Sequence, residues 1–376
     1  PHVRFDEGEV APATTPRRGS LLYTTGKALD EKKYNIGLEL LRVLMCYAVV
    51  NTHFWNFWEA FPHGGAPWLF RFVNACIPYA VPVFMLMTFY FSSAHFRATD
   101  GAWMRKRLVR LALPFVGWTL VTFVVFKALA PLSAEFACTF RDLWLQLLLG
   151  TTKALGSQMW FQAVLLILTA FFAAFFRLVR AERVAWALSL VCLAAVALEY
   201  SGVNFWLFKD GIYEVRNPLG RVIPMLSYAC VGLLLGMRRE SFARVPTGSR
   251  WLAVALGLAV AAFLRNVKVF VVPDGFYYRG LQMLATALAL VAAFAMLPTG
   301  RVPPLAAKAL LAVSRYTMGI YFVHILVGRV LTVFLFPVLG LKAKCFAGTF
   351  VVFAACWLLC AALARLLPKS LKGMIQ

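Results

Sequence analysis

The sequence predicts an all-α polytopic membrane protein with about ten transmembrane helices and both termini in the cytoplasm. Three observations predict it. Of 376 residues, 61% are hydrophobic and only 14% are charged, far from the balance of a soluble domain. Apolar runs long enough to cross a bilayer as helices recur along almost the whole chain. The 38 lysines and arginines are also unevenly shared: 23 lie in the tails and alternate loops, 10 in the intervening loops, and five within spans. That asymmetry marks the richer side, which holds both termini, as the inside.

The candidate spans fall at roughly 36–58, 67–95, 108–130, 158–178, 184–201, 219–237, 251–271, 279–298, 314–336 and 345–367. Residues 1–33 are polar and rich in Pro, Thr and Arg; they read as a disordered cytoplasmic tail with no cleavable signal peptide. The membrane domain then occupies 34–368, and 369–376 form a short cytoplasmic tail. The run at 140–149 is too short to span and reads as an interfacial or re-entrant helix. Gly64-Gly65, Pro273-Asp274-Gly275 and Pro303-Pro304 punctuate as turns.

The net charge of +22 sits in short clusters beside the spans, not in a continuous patch interleaved with stacking aromatics. Membrane lipids are therefore expected partners and nucleic acid is not. Cys46, Cys76, Cys138, Cys192, Cys230, Cys345, Cys356 and Cys360 are scattered without a CxxC pair, so neither a disulfide framework nor a metal site is expected.

The first span is unusual. Between Ile36 and Phe57 it carries Glu39, Arg42 and His53 in an otherwise apolar run. Ionisable groups there cost several kcal/mol unless paired or facing a wet cavity, so they mark a site. Glu39 and Arg42, three apart, share a helix face and can pair. Arg42 and His53 are eleven apart, roughly 16 Å along the axis. Eleven steps of 100° return within about 20°, so both look toward the same interior. His53 can move a proton at neutral pH or merely bond a neighbouring helix; Asn51 and Thr52 read as helix glue.

The third span opens on Arg105-Lys106-Arg107-Leu-Val-Arg110-Leu-Ala-Leu-Pro114. Such a cluster can simply hold a helix end inside. Arg107 and Arg110, three apart, can also present two guanidiniums to a phosphate. Trp160-Phe161-Gln162 opens the fourth span, where an aromatic belt is expected. Tyr321 and His324 share a face of the ninth span, and a structural hydrogen bond is the simplest role for His324. Arg71, Arg221 and Arg329 are cations in spans without an obvious acid, lining a cavity or snorkelling to the interface. His63 and His95 are expected at exposed positions, and His2 lies in the tail.

Taken together, Gly37-Leu-Glu39-Leu-Leu-Arg42…Val49-Val50-Asn-Thr-His53-Phe54, Arg107-Leu-Val-Arg110-Leu-Ala-Leu-Pro114, Trp160-Phe161, Tyr228-Ala-Cys-Val-Gly232 and Ser314…Thr317-Met-Gly319-Ile-Tyr321…His324 resemble the ordered motifs of the acyltransferase family 3 membrane proteins. The resemblance covers about 36–365. It implies transfer of an acyl group, commonly acetyl, from cytosolic acyl-CoA to a carbohydrate or other acceptor outside or in the membrane. It places the family's essential first-span pair on Arg42 and His53, and its cytoplasmic basic motif on Arg107 and Arg110; with Arg105 beside them, these are expected to hold the acyl-CoA co-substrate. Glu39, Trp160, Tyr321 and His324 are then the candidate substrate-binding residues. One departure is Phe89, where the second-span motif usually has Gly. The sequence also stops after the tenth span, so the hydrolase-like domain fused to some relatives is not expected.

The expected mechanism is a protein tunnel in which a pantetheine arm spans the distance from Arg42 to His53. His53 acts there as general base on an acceptor hydroxyl, or carries the acyl group transiently. The competing class is a transporter or flippase of a lipid-linked glycan, weakened by the lack of paired broken helices or an inverted repeat.

Overall fold

A computed structural model describes residues 35–54, 77–150, 154–201, 213–239, 241, 245–266, 281–297, 302–338, 346–368 and 372–375. Among them all regular structure is helical. The longer helices are α1 (Ile36–Phe54), α2 (Ala80–Arg97), α3 (Gly101–Leu129), α4 (Phe140–Leu149), α5 (Trp160–Leu178), α6 (Val184–Tyr200), α7 (Tyr213–Met237), α8 (Thr247–Asn266), α9 (Leu281–Met296), α10 (Pro304–Ser314), α11 (Thr317–Val330) and α12 (Phe346–Leu366). A π-helical turn, Leu331–Leu335, continues α11.

Among the described residues, six stretches are long and apolar enough to cross a membrane: Gly101–Leu129, Trp160–Leu178, Ala181–Tyr200, Gly220–Met237, Thr317–Leu335 and Gly348–Leu366. The other four of the ten expected spans correspond to α1, α2, α8 and α9. The polar stripe of α1 itself dilutes its hydropathy. The second expected span begins at 67, but 67–76 lie outside the described residues. Helix α8 is apolar only over Thr247–Ala261. Helix α9, at 16 residues, is about 24 Å long against a hydrocarbon core of about 30 Å. Large side chains such as Trp186, Leu190, Trp251, Leu252 and Phe263 stand exposed on α6 and α8, as lipid-facing surfaces require.

Local chemistry sets the boundaries. Asp100 caps α3 by accepting from the Trp103 N–H at 3.0 Å. The helix therefore starts seven residues before the expected span and carries the whole basic cluster. Pro114 deprives the Arg110 carbonyl of its helical donor. Next to that defect, the Gln162 side chain of α5 donates to the Leu111 carbonyl at 2.9 Å. Helix α4, expected from its apolar run, starts with a reciprocal Thr139–Asp142 capping box and stops at Gly150, whose φ of 71° is the left-handed cap. Helix α10 falls partly where a cytoplasmic loop was expected. Pro303 precedes it and Pro304 occupies its first position, so the Pro-Pro pair starts a helix instead of a simple turn.

Helix α1 is central, packing on α2, α9, α10, α11 and α12. The broadest seam joins α2 to α7. A Cβ on Gly232 or Gly236 of α7 would collide with the backbone of Leu86 or Tyr90, so the glycines let the two helices touch. Phe89 is fully buried there, its ring 5.2 Å from that of Phe172 on α5. The departure at Phe89 thus fills the space between α2 and α5, while close helix approach is supplied by the glycines across the seam. A last feature is the 3-10 turn Lys372–Met374. Trp118 of α3 donates to the Met374 carbonyl at 2.8 Å, and Ile375 beside it is fully buried.

Candidate active site

Three contacts at seven-residue intervals seat α1 on the chain around α10 and α11. At one end, Ser314 donates to Glu39 Oε2. In the middle, the Cys46 thiol donates to the Thr317 carbonyl at 3.5 Å. At the other end, the rings of His53 and His324 lie 5.1 Å apart, tilted by 46°. Seven residues are nearly two helical turns, so Glu39, Cys46 and His53 follow one stripe of α1. The matching order of their partners shows that α1 and α11 run parallel.

The predicted polar stripe is therefore engaged at both ends. Buried Glu39 holds Arg42 at 3.3 Å, and the Arg42 guanidinium also lies 5.5 Å from the Phe91 ring of α2. Both oxygen contacts of Glu39 fall on Oε2, so this carboxylate binds α1 to α10 and steers Arg42. At the far end His53 is exposed while His324 behind it is fully buried. His324 Nδ1 lies 2.7 Å from the Tyr321 carbonyl. The structural hydrogen bond expected of His324 is thus present, but it uses one nitrogen only.

The neighbouring candidates form a wall. The Tyr321 hydroxyl donates to the Gln158 carbonyl, and its ring sits 5.7 Å from Phe161 and 6.0 Å from His324. This links α11 to the turn Ser157–Met159 that opens α5. Trp160 is buried, with the Arg221 guanidinium of α7 4.0 Å above its ring. Arg221 is accordingly a stacking cation. Arg329 donates to the carbonyls of Ala154 at 2.6 Å and Glu135 at 3.2 Å, and the carboxylate of Glu135 is close enough to act on it electrostatically, so the acid that its own span lacks comes from elsewhere in the chain. Arg71, His63 and His2 lie outside the described residues.

The basic cluster is split by the turn of α3. Arg105 is exposed, Arg107 is buried and Arg110 is half-buried. Arg107 lies 5.1 Å from the Trp103 ring, which stacks on His95 at 4.4 Å with planes 9° apart. His95, expected to be exposed, is half-buried because it covers that indole. Helix α3, which carries Arg107, also packs on α11, which carries His324.

Two contributors escaped notice. Ser314 stood in a quoted motif, but its role depends on a partner 275 positions away. Gly328 is the other: a Cβ there would overlap the Phe54 ring, so this glycine admits the residue next to His53. The seven-residue spacing of Glu39, Cys46 and His53 was the available signal for the seam.

Residues 35–361 match the family model described as an acyltransferase domain, that of acyltransferase family 3. No curated protein and no solved structure matches the chain. The chain belongs to that acyltransferase family, as an all-helical membrane member of it.

Proposed function

We propose that this member of the acyltransferase family is an O-acyltransferase of the bacterial inner membrane, with both termini cytoplasmic. It moves an acyl group, acetyl in the first instance, from cytosolic acyl-CoA to a hydroxyl of an extracytoplasmic or lipid-linked carbohydrate. The observation that carries this reading is the exposed imidazole of His53 at one end of a polar seam whose other end holds Arg42 between Glu39 and Phe91. An exposed imidazole backed by packed side chains is suited to general-base catalysis.

In this reading Arg107 and Arg110 bind the phosphates of the co-substrate at the cytoplasmic mouth, with Arg105 adding charge from the surface. Arg42, steered by Glu39, steadies the acyl-CoA arm on its way to His53. His53 takes the acceptor's proton as its oxygen attacks the thioester carbonyl. The C–S bond breaks, and the proton passes to the leaving thiolate. Trp160 and Tyr321 shape the acceptor side. No metal enters the scheme.

The test is incubation of the purified protein, reconstituted in vesicles, with radiolabelled acetyl-CoA and envelope glycans. Labelled glycan is the expected result. Glycan accumulation inside vesicles without CoA and without label transfer would replace the enzyme with a transporter.

A further inference from the structure

His324 has more chemistry than its backbone hydrogen bond uses. A carbonyl oxygen only accepts, so the 2.7 Å contact with Tyr321 puts a hydrogen on Nδ1. In a neutral imidazole the other nitrogen then carries a bare lone pair. That nitrogen, Nε2, is buried and accepts no hydrogen bond among the described residues. Burying an acceptor without a donor is costly, which asks for a compensating use.

Among the described residues, three rings lie against His324. Phe54 has no polar donor, and the Tyr321 hydroxyl is committed to the Gln158 carbonyl. His53 is left, at a centroid spacing that one N–H···N bond between two imidazoles can fill once the rings turn toward each other. The layering fits: His53 is reachable from outside the protein and His324 is sealed behind it.

We propose that His324 is a positioning residue whose Nε2 accepts the N–H of His53 and so fixes the tautomer in which the outward nitrogen of His53 is bare. The Tyr321 carbonyl holds His324, His324 holds His53, and His53 meets the acceptor hydroxyl. As His53 takes the hydroxyl proton it becomes an imidazolium, whose inward N–H bonds the Nε2 lone pair more strongly. When the proton leaves with the thiolate, the resting chain is restored and no net charge stays on either ring. The catalytic part of this inference rests on the acyl-transfer reading; the tautomer part does not.

The experiment uses the full chain in nanodiscs, ¹⁵N-labelled at histidine, with His53→Ala assigning the His53 signals. Wild type should show one pyridine-like and one pyrrole-like nitrogen for His53. His324→Leu, which keeps bulk but has no acceptor, should collapse them to an averaged pair, and His324→Gln, which retains an acceptor, should restore the distinction. In transfer assays, His324→Leu should lower kcat roughly 10- to 100-fold, by analogy with the loss of a group that orients a metal-bound imidazole, with KM for acyl-CoA unchanged. His324→Gln should recover most of that loss. An unaltered His53 spectrum in His324→Leu overturns the proposal even if the protein is an active acyltransferase. Equal losses in Leu and Gln variants overturn it too. The predicted spectra in a protein without transfer activity would retain the tautomer relay and retire the acyl-transfer reading alone.

Discussion

The seam between α2 and α7 and the seam between α1 and α11 are built from opposite materials. The first is close and built on small residues: Gly232 and Gly236 bring backbones into contact, Ser93 packs against Gly236, and Phe89 and Phe172 fill the flank. The second is threaded with Glu39, Ser314, Cys46, His53 and His324. Polar groups are a costly way to join helices in a membrane, whereas small residues do it cheaply. In the acyl-transfer reading proposed above, the costly seam is the one kept for chemistry. The difference separates frame from site, and substitutions should fall on either side of it.

The largest expected effect is on the site. His53→Ala should reduce transfer by about 10²–10⁴-fold while leaving the melting temperature close to wild type, because the ring is exposed. A matched loss of melting temperature and of transfer would erase the contrast between the seams. Next comes the frame. Gly236→Leu should cost about 1–3 kcal/mol or more through overpacking and lower folded yield in size-exclusion profiles. Normal yield with a selective kinetic defect would move that glycine into the site.

Arg107→Ala combined with Arg110→Ala sharpens the map of the polar side. Loss of charged hydrogen bonds worth about 1.5–3 kcal/mol should raise KM for acyl-CoA roughly 10- to 100-fold at near-constant kcat. Unchanged CoA affinity by calorimetry would reject the cytoplasmic mouth. The smallest effect is expected from Glu39→Gln, which keeps an acceptor for Ser314 but loses the charge facing Arg42. Replacing a charge-assisted hydrogen bond by a neutral one loses about 1 kcal/mol, which corresponds to about a fivefold fall in kcat/KM. A larger fall would show that the carboxylate contacts substrate directly.

Much of this contrast is legible in the chain, and its limits have physical causes. Glu39, Arg42 and His53 announce themselves because charge in an apolar run is rare, and helical spacing alone puts them on related faces. Helix α4 is legible for a similar reason: its caps are local, with Thr139, Asp142 and Gly150 all within a few residues of its ends. The partner of Glu39 is not legible, since nothing near Ser314 specifies a residue 275 positions earlier. Helix α10 was missed because a Pro-Pro pair signals both a turn and a helix start. The partners of Arg329 are not legible either: two backbone carbonyls and the charge of Glu135, 194 positions away, meet it.

The short turn at Lys372–Met374 carries a practical corollary. Its carbonyl is gripped by Trp118 midway along α3, and Ile375 lies against Gly319 at the start of α11, where a Cβ would strike its backbone. One short turn thus braces two helices at once, α3 through Trp118 and α11 through Gly319, so substitutions that unseat it should loosen both.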